Sequence, residues 1–264
     1  MAKTLNEALN SLGMPASLPH ALPVGHLTEA RQLDSIATQK QLTPWPCKVF
    51  DKESLVYLFY GGLFYRRSAV PTSNATILPV GFVFQPHVLE LVDRYYPFDT
   101  GAAQSKLYGP DWHVKLNPFK EVCRVDGDGS YQTPANLVYR LFGTNDAYFH
   151  RDPLPADVTL PEPLPTLLEF LADELNHTAK GVDQRFRRFE GHVKVPIPLD
   201  EKLIWIGYPE GFENQFSQVC ECMQPALPLS YCYPSHPAPV PSEMAAVLQQ
   251  MAYEAVIKTY VGES

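Results

Sequence analysis

Two polar side chains, His26 and Thr28, stand one residue apart at the end of a short apolar stretch, residues 21–27. In an extended strand, residues i and i+2 point to the same side, so both side chains could reach one ligand such as a ribose. Residues 30–38 then place apolar side chains at helical spacing, which predicts that a helix follows the strand. The alternative is that His26 is a structural histidine, hydrogen bonded inside the protein.

A carboxylate, Glu190, enters the apolar segment 189–199 much later in the chain. This segment predicts a strand and a turn marked by Pro196 and Pro198, and a second apolar strand is predicted at 203–209. The alternative is an ordinary surface glutamate at the start of a strand.

Aromatic and basic side chains follow one another in residues 55–67, which include Tyr60, Tyr65, Arg66 and Arg67. The aromatic and β-branched residues predict a strand, which two glycines interrupt. A guanidinium group is a planar fork that matches phosphate oxygens, and an aromatic face attracts cations. Strand aromatics also commonly belong to a core, and an arginine can form a structural ion pair instead.

These segments together resemble the ADP-ribosyltransferase-like superfamily, in the order which that family requires. The His-x-Thr element, followed by a helix and the Pro-containing loop 43–46, resembles the opening of such domains. Residues 55–67 look like the second core strand of the DarT-type toxins, which modify nucleic acid. Residues 189–209 are similar to the catalytic segment of that group, and the resemblance spans roughly residues 20 to 210.

The resemblance implies roles for individual residues around NAD as substrate. His26 and Thr28 would hold the adenosine half of NAD. Tyr60 and Tyr65 would stack on the cationic nicotinamide ring. Arg66 or Arg67 would pair with the pyrophosphate, and only one of them can enter the cleft because neighbouring strand residues face opposite ways.

Catalysis would depend on Glu190. Cleavage of the bond between nicotinamide and ribose passes through an oxocarbenium-like state. A carboxylate that binds the ribose hydroxyl and faces the developing positive charge lowers the barrier. We therefore expect the segments near 24–28, 55–60 and 190–195 to line one cleft.

The implied function is an ADP-ribosyltransferase that modifies a macromolecular acceptor, protein or nucleic acid, as a toxin or anti-phage (antiviral) defence effector. An antitoxin or other regulatory partner would fit that function. Two alternatives stay open, an NAD glycohydrolase on the same fold and a non-enzymatic binding module that has lost activity. The imperfect spacing between the two glycines and the arginine pair Arg66 and Arg67 makes the binding module credible.

The expected fold is a single α+β domain of the ADP-ribosyltransferase type over residues 1–264, with a split, mostly antiparallel sheet and a C-terminal helix. A chain of 264 residues with 45% hydrophobic residues can bury a sizeable core. Proline-rich loops are predicted near 153–165 and 225–241. Further predictions are helices at 4–12 and 166–175, strands at 55–60 and 77–84 with Pro79 at an edge or irregular position, and a last helix capped by Ser242.

Charge restricts the expected partners. The formal net charge of -8 disfavours broad, non-specific binding to nucleic acid, because a surface that neutralises many phosphates is usually basic. A narrow contact with one nucleic-acid strand remains open through the basic cluster Arg185, Arg187 and Arg188, which could equally be a solvated surface.

The sequence predicts a cytoplasmic protein that does not contact a membrane. The apolar stretch 77–84 is too short to span a bilayer, and Glu7 stands where a signal peptide needs an apolar region. Five cysteines in a chain of this length do not form a disulfide framework, so we expect reduced thiols.

A separate group of potential metal ligands is Cys220, Cys222, Cys232 and His236. Three thiols and an imidazole could hold Zn²⁺, but Cys-x-Cys is tighter than the usual zinc knuckle. The prediction is that no metal is bound, with zinc as the alternative.

Overall fold

The structure is a computed structural model of the chain. It describes residues 4–64, 69–108, 110–157, 159–173, 188–200, 202–221, 223, 227–235 and 238–261.

Helices occur in three stretches of the chain. Near the start are α1 (Leu5–Leu12) and α2 (Leu33–Gln39). The middle contains short helices in close succession, α3 (Thr100–Gln104), α4 (Pro110–Lys115), α5 (Phe119–Val122), α6 (Gln132–Phe142), α7 (Asn145–His150) and α8 (Leu164–Ala172). The C-terminal part contains α9 (Glu213–Glu221), α10 (Pro241–Ala252) and α11 (Lys258–Val261), with a π-helical turn, Tyr253–Ile257, between the last two.

Strands come from both halves of the chain. The first half contributes β1 (Val24–Glu29), β2 (Gln41–Leu42), β3 (Trp45–Pro46), β4 (Ser54–Tyr60), β5 (Pro79–Phe84), β6 (Arg94–Tyr96) and β7 (Val125–Asp126). The second half contributes β8 (Glu190–Val193), β9 (Ile197–Pro198), β10 (Leu203–Pro209) and β11 (Leu229–Tyr233). Within the described residues the main sheet has the order β11-β10-β5-β1-β4-β8-β6-β7, with β3 added to β4, while β2 and β9 form a separate pair.

The sheet is mostly antiparallel, and its one parallel pair among the described strands is β10 with β11. Every residue of β5 and of β8 is buried. A strand covered on both faces is expected to be a continuous apolar run, as β5 is. The predicted α+β class, mostly antiparallel sheet and C-terminal helix are therefore confirmed.

The contact between β1 and β4 is short. These neighbours pair at only two positions, Val24 with Tyr60 and Gly25 with Phe59, whereas β1 pairs with β5 along its whole length. The strands separate beyond Gly25, so the sheet is open along this line. A side chain spans the opening, because the His26 ring donates from Nδ1 to the Tyr57 carbonyl oxygen over 2.9 Å.

Immediately after β4 the backbone passes very close to β1. Gly61 and Gly62 adopt positive φ angles of 76° and 154°, which glycine tolerates. The carbonyl oxygen of Gly62 lies only 2.0 Å from where a Cβ on Gly25 would stand, so glycine is required at this position. The Gln249 side chain of α10 accepts a hydrogen bond from the Leu63 backbone N–H and holds the turn against the helix.

Helix α1 begins as predicted, because Thr4 and Glu7 form a reciprocal capping box. Two predictions were wrong. Pro79 does not mark an edge strand, since β5 is paired on both sides and the proline is only its first residue, a position where proline is tolerated. The last helix begins at Pro241, with Val240 as its cap residue and no side-chain cap, so Ser242 lies inside it.

No helix among the described residues has the length and apolar character that crossing a bilayer requires.

Candidate functional site

Glu190 is the first residue of β8, which lies between β4 and β6. It pairs with Phe59 on one side and Tyr96 on the other, and its side chain is only 2% exposed. Directly paired residues of antiparallel strands project to the same face. The carboxylate therefore stands among the aromatic rings on one face of the sheet.

Among the described residues, three donors hold the carboxylate. The Thr100 hydroxyl donates to Oε1 over 2.5 Å, and the backbone N–H of Thr100 lies 3.3 Å from Oε2. The third donor is the ring of His192, whose Nε2 lies 2.5 Å from the same Oε1. Thr100 begins α3, where the Asp99 side chain is the N-cap. Glu190 is thus oriented by neighbours on two elements.

The protonation of His192 follows from its partners. Arg94 Nε always carries a hydrogen, and it lies 3.0 Å from His192 Nδ1, so Nδ1 must accept. The ring hydrogen is then on Nε2, which donates to Glu190. Burial, together with the charge of Arg94, places the His192 pKa well below its ordinary value, consistent with this neutral form.

Arg94 connects the buried His192 to charged groups nearer the surface. Its guanidinium lies 3.0 Å from Glu53 and 3.6 Å from Asp93, and Lys194 approaches the same two carboxylates at 3.5 and 3.0 Å. Partial burial raises the pKa of Glu53, but the hydrogen bond and charge of Arg94, with Lys194, outweigh it and leave the pKa lowered.

Aromatic rings enclose the His192 imidazole, which has no exposed surface. The ring centroids of Phe50 and Tyr57 each lie 4.9 Å away, edge-on, and that of Tyr96 lies 5.2 Å away. The Arg94 guanidinium covers the Phe50 ring at 4.3 Å. The low dielectric of this enclosure strengthens the hydrogen bonds that His192 makes with Arg94 and Glu190.

One arginine predicted to lie near the glutamate is buried. Arg188 donates to the carbonyl oxygens of Tyr148 and Phe149, and its guanidinium lies 4.4 Å from the Phe64 ring centroid. Phe64 in turn packs edge-on against Phe59, the strand partner of Glu190. Arg188 is therefore not part of a solvated basic face.

The segments carrying His26 and Glu190 are close in the sheet, because β1, β4 and β8 are consecutive strands. Their side chains, however, project to opposite faces. Phe59 shares a face with Glu190 and with Gly25, so His26 and Thr28 belong to the other face. The expectation that these side chains line one cleft was wrong, because a one-residue step along a strand reverses the face. NAD binding by His26 and Thr28 stays a prediction.

Tyr60 also lies on the face away from Glu190, and it is a core residue. Its side chain is buried, and its hydroxyl accepts from the Leu22 backbone N–H over 2.9 Å. Its ring packs against Tyr148 and Phe189. The core alternative thus describes Tyr60 better than nicotinamide stacking.

Several predicted residues lie outside the described ranges, namely Tyr65, Arg66, Arg67, Arg185, Arg187, Cys222 and His236. Of the potential zinc ligands, Cys220 and Cys232 lie within the described residues. No set of three or more His, Cys, Asp or Glu side chains within the described part of the chain could hold a metal ion.

Thr100, His192 and Arg94 were not identified from the sequence. His192 had a signal, since Glu-x-His in a strand places both side chains on one face. Thr100 and Arg94 had none, because only the pairing of β6 with β8 brings them to the glutamate. No protein-family model matches the chain, and no curated protein matches it either. The chemistry of Glu190 and its donors therefore carries the functional argument.

Proposed function

We propose that this chain is an ADP-ribosyltransferase that uses NAD to modify a macromolecular acceptor, with Glu190 as its catalytic carboxylate. The observation that carries the proposal is the placement of Glu190 at the start of a central strand, with its carboxylate held by Thr100 and His192. A carboxylate fixed in advance stabilises developing positive charge without reorganising during the reaction.

In the proposed reaction the bond between ribose C1′ and the nicotinamide nitrogen breaks, and nicotinamide leaves with the electron pair. The acceptor nucleophile forms the new bond to C1′ and releases its proton. Glu190 would bind the ribose hydroxyl and face the positive charge that develops on the sugar ring. Arg66 or Arg67 would hold the pyrophosphate, and Tyr65 would stack on the nicotinamide.

The acceptor is a protein or a nucleic acid, and the net charge of -8 favours a narrow contact over broad binding to nucleic acid. An effector of this kind, a toxin or an anti-phage factor, acts in the cytoplasm and would be matched by an antitoxin or other regulatory partner. These assignments rest on the sequence motifs.

A test uses labelled NAD, whole-cell lysate and the purified chain, with nuclease and protease treatment of the products. We expect label on a macromolecule, and the sensitive treatment identifies its class. Free ADP-ribose alone would instead indicate an NAD glycohydrolase.

Glu190→Gln should abolish transfer while leaving NAD binding largely intact, because the carboxylate acts mainly in the transition state. Glu243→Gln, on the exposed face of α10, is the matched control and should keep full activity. Turnover of Glu190→Gln within roughly threefold of wild type would remove Glu190 from the mechanism.

A second candidate, a non-enzymatic binding module, is favoured by one observation. Glu190 is 2% exposed and its carboxylate already has three donors within the described part of the chain, which is also how a structural carboxylate is satisfied. If the module is correct, neither label nor free ADP-ribose appears with wild-type protein, and Glu190→Gln changes only stability.

A further inference from the structure

We propose that His192 is a positioning residue for Glu190, and that Arg94 fixes the ring form which His192 must have for this task. The proposal rests on the proposed function. It adds two residues to which the sequence motifs assign no role in the site.

The directions of the two hydrogen bonds determine which nitrogen of His192 carries the ring hydrogen. Arg94 Nε can only donate, so His192 Nδ1 accepts and Nε2 carries the ring hydrogen. That hydrogen points to Glu190 Oε1 over 2.5 Å. Loss of the Arg94 donor would free the ring to place its hydrogen on Nδ1, and Nε2 would then face the carboxylate with a lone pair.

Packing fixes the orientation of the His192 ring. His192 stands two residues after Glu190 on the same face of β8 and is opposite Tyr57 and Arg94 on the flanking strands. With Phe50 edge-on to the imidazole, the ring cannot turn without displacing a buried aromatic side chain. The donor to Glu190 is therefore set in place by the sheet itself.

Charged and titratable groups around His192 determine its protonation state. Arg94 and Tyr96 face it from β6, and Tyr57 faces it from β4. Glu53, Asp93 and Asp99 act on it through their charges, and Lys194 approaches the first two of these carboxylates. Burial and Arg94 disfavour a charged ring more than these carboxylates favour it. His192 thus acts as a neutral donor that directs the carboxylate at the sugar.

Two substitutions separate the two contacts of His192. The amide of His192→Gln reaches the region of Nε2 and can still donate to Glu190, while that of His192→Asn reaches the region of Nδ1 and can only replace the contact to Arg94. We expect kcat to fall about 10- to 100-fold in the Asn variant, the range for losing a hydrogen bond to a charged group. The Gln variant should recover most of that loss, with KM for NAD nearly unchanged in both.

Thermal unfolding of both variants is the control for a purely structural role, with the exposed His150→Gln as the matched histidine substitution. Activities that follow the melting temperatures, or equal kcat values for the Gln and Asn variants, would overturn the proposal.

A readout independent of turnover keeps the proposal separate from the proposed function. The ¹⁵N chemical shifts of the His192 ring should show hydrogen on Nε2 in the wild-type protein. In Arg94→Lys, which keeps the charge but loses the Nε–H, hydrogen should also appear on Nδ1. Hydrogen on Nδ1 in the wild-type protein would overturn the proposal whatever the activity. A wild-type protein with the expected shifts that consumes no NAD would overturn the proposed function, and with it the catalytic purpose of an otherwise correct hydrogen-bond chain.

Discussion

Thr100→Val removes the shorter of the two hydrogen bonds by which α3 holds Glu190. Valine keeps the β-branched shape of threonine and loses only the hydroxyl. The backbone N–H of residue 100 and the ring of His192 remain as donors to the carboxylate. The substitution therefore isolates one hydrogen bond, the 2.5 Å contact from the Thr100 hydroxyl to Oε1.

The expected cost follows from burial. Thr100 has no exposed surface and Glu190 is 2% exposed, so water cannot replace the lost donor. A hydrogen bond to a charged group contributes about 1.5–3 kcal/mol. In a chain of this size each kcal/mol corresponds to about 2–4 °C in melting temperature, so we expect a decrease of roughly 3–12 °C.

Urea unfolding and calorimetry measure this loss directly, whether or not the protein turns over NAD. Thr259→Val is the control, because that hydroxyl donates to a neutral acceptor, the carbonyl oxygen of Val256, near the surface. It should cost about 1 kcal/mol or less. A Thr100→Val protein as stable as Thr259→Val would show that the hydroxyl does not bind the carboxylate, and the geometry of the site would have to be revised.

Two further predictions concern the sheet and the pH dependence of stability. Gly25→Ala should lower the unfolding free energy by about 3 kcal/mol or more, because its Cβ would stand 2.0 Å from the Gly62 carbonyl oxygen. The control, Gly101→Ala, should stay within about 1 kcal/mol of wild type. Equal stability of the two variants in urea would refute the close approach of Gly62 to Gly25. Burial and Arg94 lower the pKa of His192, so the unfolded state binds a proton first as pH falls below about 6.5, and stability should decrease by up to about 1.4 kcal/mol per pH unit. His192→Gln should lose this component of the slope, and an unchanged slope in urea titrations between pH 5 and 7 would contradict a buried neutral ring.

The four longest strands, β1, β4, β5 and β10, could be predicted because their patterns are local. Residues 55–60 and 77–84 are apolar and β-branched, and they form β4 and β5 nearly as expected. The short strand β6 was missed, because Arg94 is charged and β6 has only three residues. Its burial depends on tertiary partners, chiefly β8, which lies almost a hundred residues away along the chain.

The candidate site was predictable only in part for the same reason. Glu190 stands out in an apolar segment, and it does enter a strand beside β4. The relative faces of His26 and Glu190 depend on the register of two strand pairs, which no single segment encodes. Tyr60 illustrates the limit for aromatic residues, because a core tyrosine and a ligand-stacking tyrosine look the same in a strand pattern.

The strand order also has a consequence for synthesis of the protein. β4 is complete at Tyr60, but β8, its neighbour on the side away from β1, begins only at Glu190. At about 5–20 residues per second, a ribosome needs roughly 6 to 26 seconds to add the intervening chain. During that interval β8 is not yet available to pair with the apolar edge of β4, and an unpaired edge of this kind is an aggregation hazard. The nascent chain should therefore depend on chaperones, and fragments that stop before β8 should be insoluble.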